Sequence, residues 1–209
     1  MKQATILQLN DLNQHFYKVT AEEFSKTRSF YWKGWGELIE PLKEIGKNHP
    51  QLKVLDIGCG NGRFGEFLWK KSIHKKLVYH GGDNSQELLD FAQQRLGEHS
   101  FEKNLFYLDL INALIKDNLS EVLPQKKYQV ITLFGVLHHI PSQKLRKKLF
   151  SAIEDHLTNG GIFVFTAWRF LNEKRFEKKT HSEATTWAKS QVKGSLAEFL
   201  AAIDSSLWT

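Results

Sequence analysis

A glycine-rich turn between a short apolar run and a helical stretch constrains the fold of this chain more than any other feature. Residues 54–57 (VLDI) lead into residues 58–62 (GCGNG), and a helical pattern follows. Glycines at such a place let the chain turn tightly and let a ligand approach the backbone closely. The sequence therefore predicts a ligand-binding turn at the end of a first strand.

Strands and helices are predicted to alternate along the chain. The predicted strands are short and rich in β-branched and aromatic residues, as buried strands are. They cover residues 53–57, 77–82, 104–108, 128–134 and 161–167. Predicted helices lie between them at residues 64–71, 85–96 and 142–157. This alternation is typical of parallel βαβ units and predicts an α/β fold with a doubly wound, mostly parallel, Rossmann-like sheet.

The length of 209 residues suits one domain. The chain is predicted to divide into three consecutive segments. Residues 1–50 are rich in aromatic side chains and are expected to form an N-terminal helical cap of one or two helices. This cap either covers the ligand crevice or is purely structural. Residues 51–169 form the predicted α/β domain. Residues 170–209 form a basic helical segment of the same domain, with a short amphipathic helix over residues 193–207.

Composition excludes several classes of protein. The chain has no apolar window of about 18 residues and no apolar segment near its start, so we expect no membrane partner, no secretory signal and a cytoplasmic location. The single cysteine, Cys59, argues against a disulfide framework and a Cys-rich zinc site. We expect it to be a small filler in the turn. We expect no metal site.

The glycine turn alone does not select the ligand, because residues 60–65 also match the G-x-G-x-x-G pattern of dinucleotide-binding turns. Asp56 lies at the strand end, where its carboxylate would repel a pyrophosphate but would suit an ammonium group. Asp83 ends the second predicted strand, where a carboxylate can accept both hydroxyls of a ribose. The two acids together favour a nucleoside ligand with a cationic part over NAD. Asn84 and Ser85 can cap the helix that follows.

Residues 56–62 (DIGCGNG) resemble motif I of the class I S-adenosylmethionine-dependent methyltransferases. Residues 134–141 (FGVLHHIP) resemble the motif that lines the methyl-transfer site in that family, and residues 159–161 (NGG) match its usual turn before the fifth strand. The resemblance implies S-adenosyl-L-methionine as the cofactor, with the motif I residues on its methionine part and acids after the second and third strands on its ribose and adenine. The cofactor-binding residues so implied are Asp56, Gly58, Gly60, Gly62, Asp83, Asn84, Asp109 and Phe134.

Residues 16–28 resemble the opening of the tRNA wobble-uridine carboxyl methyltransferases, including the methyltransferase domain of the AlkB-homologue tRNA enzyme. The shared pattern is phenylalanine-serine-x-threonine-arginine, ending here at Arg28, although the proline that usually follows the next tryptophan is missing. The resemblance implies a modified wobble uridine of tRNA as the methyl acceptor. It leaves open whether a small activator subunit is needed, as it is for some tRNA methyltransferases. Arg28, and with it Tyr17, is either a ligand for the methionine carboxylate of the cofactor or a surface residue.

The positive charge of the chain is concentrated in residues 141–193. This stretch holds eleven lysines and arginines against five acids, which accounts for the whole net charge of +6. Aromatic residues interleave with its basic ones, and such a mixture can hold phosphates and stack unpaired bases. We therefore expect tRNA as a partner through this stretch, with a solvated helix face as the alternative.

His138 and His139 follow the fourth predicted strand and are the candidate catalytic residues. One of them can act as a base or a hydrogen-bond donor toward the acceptor, and a local structural hydrogen bond is the alternative. Because they are neighbours, we expect them to point in different directions, with at most one facing the substrate. A carboxylate acceptor would need no base, since it is already ionised at neutral pH.

Three functions stay open at this point. The first is methylation of tRNA, and the second is O-, N- or C-methylation of a small molecule. The third follows from the predicted strands, since five are found where the family normally has seven. If the last strands are missing, the chain is a shortened, non-catalytic cofactor-binding protein.

Overall fold

All five predicted strands form one parallel sheet in the computed structural model, which describes residues 1–124 and 127–167. The sheet has the order β3-β2-β1-β4-β5, and every neighbouring pair is parallel. The strands are β1 Leu52–Ile57, β2 Leu77–Asp83, β3 Glu102–Tyr107, β4 Tyr128–Leu133 and β5 Leu157–Phe165. The predicted α/β doubly wound sheet is therefore confirmed.

Helices connect the strands and precede the first of them. The helices are α1 Gln3–Thr27, α2 Ile39–Lys47, α3 Arg63–Lys70, α4 Gln86–Gly97, α5 Leu110–Lys116, α6 Leu119–Val122 and α7 Gln143–His156. Two 3₁₀ turns cover Lys33–Leu38 and Leu137–His139. Ser85 caps α4 as predicted, because its hydroxyl accepts a hydrogen bond from the backbone N–H of Leu88 at 3.2 Å. Among the described residues, none of these helices is long and apolar enough to cross a membrane.

The sheet is covered by helices on both faces because successive strand residues point to opposite sides. Leu55 and Ile131 belong to a core cluster that includes residues of α5 and α7. Val54 and Val130 belong to a second cluster that includes residues of α2, α3 and α4. The strand order reverses between β1 and β4, which opens a crevice at the C-terminal ends of these strands.

The structure corrects the predicted role of the turn at residues 159–161. Helix α7 ends at His156, and its capping residue, Leu157, already has extended backbone. The pairing with β4 slips from Tyr128 opposite Leu157 to Val130 opposite Ile162, so β5 begins earlier than predicted and the glycine turn is a bulge inside it. Gly160 has φ +76°, which supplies the left-handed backbone that the irregularity requires.

Several predictions concern residues beyond Ala167 and lie outside the described part of the chain. They are the basic helical segment at residues 170–209, the amphipathic helix at residues 193–207, and the absence of further strands. The basic and aromatic residues expected to contact RNA from Trp168 onward also belong to this part.

Candidate functional site

A cavity opens at the C-terminal ends of β1, β2 and β4, roofed by α1 and by the tryptophans that follow it. Helix α1 contributes Asn10, Tyr17 and Phe24, and Arg28 follows at its C-terminal cap. The N-terminal helical segment therefore covers the crevice. The predicted site residues that line the cavity are Asp56, Gly58, Gly60, Asp83, Asn84, Phe134, His138, His139 and Arg28.

The turn after β1 forms the floor of this cavity. Gly58 has φ +77° and Gly60 has φ +54°, a conformation that side-chain-bearing residues rarely adopt. A Cβ atom on Gly60 would lie 3.8 Å from the Phe24 ring, so it would project into the space between the turn and α1. A side chain at Gly60 would therefore fill part of the cavity.

Asp56 is buried below the turn, and each of its carboxylate oxygens accepts a hydrogen bond from a hydroxyl group. Tyr79 donates a hydrogen bond to Oδ2 at 2.6 Å, and Thr132 donates one to Oδ1 at 2.7 Å. Burial raises the pKa of Asp56 to about 6, although both hydrogen bonds act to lower this pKa. Asp56 is one of the residues that line the cavity.

Asp83 ends β2 at the cavity wall and joins β2 to the glycine turn. The backbone N–H of Gly60 donates to Oδ2 at 2.8 Å, and that of Ser85 donates to Oδ1 at 3.0 Å. Burial raises the pKa of Asp83, and the backbone hydrogen bonds oppose this rise. Each carboxylate oxygen has a second lone pair, so Asp83 can still accept two ligand hydroxyls. Asn84 lines the cavity next to it.

Two predicted site residues do not line the cavity. Gly62 has φ +72° and lies against α4, where an added Cβ would come within 3.0 Å of the Cβ of Ala92. Asp109 is the N-cap of α5, and its carboxylate accepts hydrogen bonds from Gln14 at 2.7 Å and from Asn10 at 3.1 Å. Its oxygens therefore attach α1 to the segment that follows β3.

His138 and His139 are both among the residues that line the cavity. That at most one of them faces the substrate stays a prediction. They lie on the 3₁₀ turn Leu137–His139, where successive side chains are separated by about 120° instead of the 180° of a strand. Their ring centroids are 4.0 Å apart. The Tyr17 hydroxyl and Nε2 of His139 share a hydrogen bond of 3.0 Å, which links α1 to this turn.

Both histidines are uncharged at neutral pH in the folded protein. Burial lowers the pKa of His139 to about 4. Burial, together with the neighbouring His139, lowers the pKa of His138 to about 3. Neutral imidazoles of such low pKa are weak bases, and they suit hydrogen bonding to an acceptor better than removal of a proton from it.

We expect the histidines to make the protein less stable as the pH falls below about 6.5. The unfolded chain takes up a proton at His139 near pH 6.5 and the folded chain only near pH 4, so lowering the pH through this window favours unfolding. His139→Gln removes this group. Between pH 7.5 and 4.5 the variant should therefore lose about 2 kcal/mol less unfolding free energy than the native protein.

Urea denaturation at both pH values measures this difference. Asp56, whose raised pKa acts in the opposite direction, is present in both proteins and cancels in the comparison. An equal loss of stability in the two proteins would show that His139 does not titrate as described.

The sequence reasoning left Arg63 unassigned, and the structure places it in the cavity lining. Arg63 is the first residue of α3, and it is 8% exposed. Its guanidinium lies 5.5 Å from the ring centre of Trp32 and 5.2 Å from that of Trp35. The signal available in the sequence was its place directly after the glycine turn, where helix residues begin beside the crevice.

Cys59 behaves as the filler that its position predicted. It is 7% exposed, and its sulfur occupies the space beside Gly81, where an added Cβ would come within 2.9 Å of it. Burial raises the pKa of the thiol well above its usual value, so the thiolate is disfavoured.

A doubly wound parallel sheet with a positive-φ glycine turn after β1 and a buried acid at the end of β2 agrees with the class I S-adenosylmethionine-dependent methyltransferase fold. The residues present fit that cofactor: Asp83 offers free lone pairs for a ribose, Asp56 a carboxylate for a cationic group, and Gly60 a bare backbone. The family model for a methyltransferase domain matches residues 55–163, just over half of the 209 residues. The chain belongs to this family.

Similar proteins are named for several different substrates. A malonyl-[acyl-carrier protein] O-methyltransferase of Ilyobacter polytropus is 24% identical over 75% of this chain and 53% of its own length. A tRNA (carboxymethyluridine(34)-5-O)-methyltransferase of Schizosaccharomyces pombe is 22% identical over 83% of this chain and 64% of its own. An S-adenosylmethionine-dependent methyltransferase structure from Clostridium acetobutylicum is 25% identical, with a TM-score of 0.51, over 74% of this chain and 56% of its own. The chain thus spans between half and two thirds of the length of these relatives.

Proposed function

We propose that this protein is a cytoplasmic S-adenosylmethionine-dependent methyltransferase that acts on a modified wobble uridine of tRNA. The observation that carries the proposal is the convergence of Asp56, the glycine turn and Asp83 on one cavity that α1 covers. When bound, the cofactor would supply a methyl group on a sulfonium, which a nucleophile displaces in line.

In this reaction, residues of the chain would bind the cofactor and orient the methyl acceptor. Asp83 would accept the ribose hydroxyls, and Asp56 would face the ammonium of the methionine part while Tyr79 and Thr132 hold it in place. Phe134 and the roof formed by α1 would exclude water from the reacting atoms. His138 and His139, uncharged, would donate or accept hydrogen bonds at the acceptor.

A carboxylate acceptor agrees with these histidines. It is ionised at neutral pH and needs no base, and the two imidazoles are poor bases because burial lowers their pKa to about 3 and about 4. An amine or carbon acceptor would require removal of a proton. The carboxymethyl group of a wobble uridine is a carboxylate of this kind.

The N-terminal segment supports tRNA as the source of the acceptor. The run that resembles the tRNA wobble-uridine enzymes lies at the site, since Phe24 and Arg28 both line the cavity. Relatives from Schizosaccharomyces pombe and from Arabidopsis thaliana, 22% and 23% identical, carry this tRNA activity in their names.

The basic stretch contributes less to this proposal than its sequence indicated. Within its described part, Arg146 is 4% exposed and donates a hydrogen bond to the backbone oxygen of Ile140, and Lys148 pairs with Asp117 at 2.9 Å. Lys144 and Lys147 are exposed and available for phosphates. The contribution of residues 168–193 remains a proposal.

A second candidate is methylation of a small molecule. It is favoured by similarity to the malonyl-[acyl-carrier protein] enzyme and to a ubiquinone biosynthesis O-methyltransferase of Coxiella burnetii, the latter 28% identical over 73% of this chain. Both relatives are O-methyltransferases, as the tRNA enzymes are. The acceptor atom proposed here is therefore an oxygen in either case.

Transfer of a labelled methyl group separates these candidates. The protein and labelled S-adenosylmethionine are added to an extract of cells in which the gene for this protein has been deleted. Such an extract contains unmethylated acceptor and any activator subunit. We expect label in small RNA, recovered after digestion as the methyl ester of carboxymethyluridine. Label in metabolites alone would favour the second candidate. Cofactor binding without label in either fraction would favour a non-catalytic protein.

A further inference from the structure

Arg63 brings a buried positive charge to the cavity. Only 8% of the residue is exposed, and it lines the cavity from the first turn of α3. Its Nη1 donates one hydrogen bond, of 2.5 Å, to the backbone oxygen of Phe30. Across residues 1–124 and 127–167, no ion pair joins it to a carboxylate.

Within the described residues, the charge of Arg63 is only partly compensated, because Asp56 attracts it from beyond ion-pair distance. A guanidinium has five N–H donors, and the hydrogen bond to Phe30 uses one of them. The rings of Trp32 and Trp35 attract the cation from 5.5 and 5.2 Å, but an aromatic ring carries no net negative charge. Since a buried charge is costly unless it is paired, the remaining donors suit an anionic ligand.

Arg28 is a second arginine at the same cavity. Its guanidinium lies 5.1 Å from the ring centre of Phe24, and the residue is partly exposed at the end of α1. Burial and the nearby Arg28 lower the pKa of Arg63 to about 10, which still leaves Arg63 charged at neutral pH. The cofactor carries a single carboxylate, on its methionine part. If Arg28 binds that group, Arg63 is left to bind something else.

We propose that Arg63 binds the carboxylate of the methyl acceptor. The inference rests on the proposed methyltransferase function and names its substrate class. The carboxylate oxygen forms a bond to the methyl carbon as the carbon–sulfur bond breaks. Both formal charges disappear in this step, and no proton is transferred. Arg63 thus selects acceptors by charge.

The first test asks which arginine holds the methionine carboxylate. Calorimetry compares S-adenosylhomocysteine with 5′-methylthioadenosine, which lacks the amino-acid part. We expect Arg28→Gln to weaken the first ligand about tenfold and to leave the second unchanged, as loss of one charged hydrogen bond requires. Arg63→Gln should change neither affinity more than about threefold. Selective loss of S-adenosylhomocysteine binding in Arg63→Gln would assign it to the cofactor and overturn the proposal.

The second test measures charge selection in protein saturated with S-adenosylhomocysteine. The probes are the nucleoside 5-carboxymethyluridine and its uncharged amide. The native protein should bind the acid at least about tenfold more tightly than the amide. Arg63→Gln should lose this preference, and Lys70→Gln, which removes a positive charge from the same helix outside the cavity, should keep it.

Equal binding of acid and amide by the native protein, or no binding of the acid, overturns the proposal without any variant. This comparison of acid and amide binding needs only the native protein, so it tests the proposal even if Arg63→Gln does not fold. Arg63→Lys is then the replacement variant, since it keeps the positive charge. Native protein that fails to bind S-adenosylhomocysteine would instead contradict the proposed function. The two failures are therefore distinguishable.

Discussion

Gly58→Ala is expected to lower the free energy of unfolding by about 3 kcal/mol, a large part of the roughly 5–15 kcal/mol that stabilises a typical domain. Gly58 has φ +77°, which costs an alanine about 1 kcal/mol. The larger part comes from packing, because the added Cβ would overlap the Cγ2 atom of Val136 on the loop after β4. The substitution therefore forces apart two walls of the cavity.

Gly97→Ala is the matched control for this prediction. Gly97 is the last residue of α4, is exposed, and has no neighbouring atom within 4 Å of an added Cβ. Alanine there should leave the stability unchanged or raise it by about 0.5 kcal/mol. Adding Val136→Ala to Gly58→Ala should restore part of the loss, since it removes the overlap but not the backbone strain. Urea denaturation measures all three, and a Gly58→Ala protein as stable as the native one would refute this description of the turn.

Asp83→Asn is expected to weaken binding of S-adenosylhomocysteine by about 100-fold. The carboxylate can accept two ribose hydroxyls, whereas an asparagine has one acceptor oxygen and directs an amide group at the second hydroxyl. The asparagine oxygen can accept only one of the backbone N–H groups of Gly60 and Ser85, and the amide group faces the other, so the variant should also lose some stability. Calorimetry gives the affinity, and the thermal unfolding temperature shows whether the variant is folded.

Asp90→Asn is the control for this prediction, because it also replaces one carboxylate with an amide, on the helix that follows Asp83. Asp90 is exposed on α4, where it accepts a hydrogen bond from Gln86 at 2.9 Å. Its replacement should change the affinity less than about twofold. If the two variants bound the ligand equally well, Asp83 would not hold the ribose.

The strand ends and the glycine turn could be predicted because their signals are local. The run before Gly58 is a short apolar strand, and Asp83 closes the next such run, so parallel pairing brings both to one edge of the sheet. Gly58 and Gly60 both take positive φ, as the predicted tight turn requires. Within the described residues, the signals for strands and helices located every element of the sheet.

Features that depend on packing between distant segments could not be predicted from local pattern. Asp109 follows its strand as expected, but Asn10 and Gln14, about 100 residues earlier, direct its carboxylate onto α1. His138 and His139 lie on a 3₁₀ turn in the cavity lining, and the local pattern did not predict that turn. Arg63 lies beside Trp32 and Trp35, which are about 30 residues earlier in the chain, and no local pattern predicts this contact.

The turn at residues 159–161 shows how one local signal fits two structures. Asparagine followed by two glycines ends a helix or forms a bulge equally well, because both need left-handed backbone. Pairing with β4 decides between them, since β5 already continues the sheet from Leu157. That pairing is a long-range property.

Calorimetry of the native chain with S-adenosylmethionine and with NAD tests the central claim most directly. The glycine turn is common to both kinds of cofactor site, whereas Asp56 beside it favours the cationic ligand. We expect micromolar or tighter binding of S-adenosylmethionine and no detectable binding of NAD. Binding of NAD in preference to S-adenosylmethionine would contradict the assignment of this cavity and the function proposed from it.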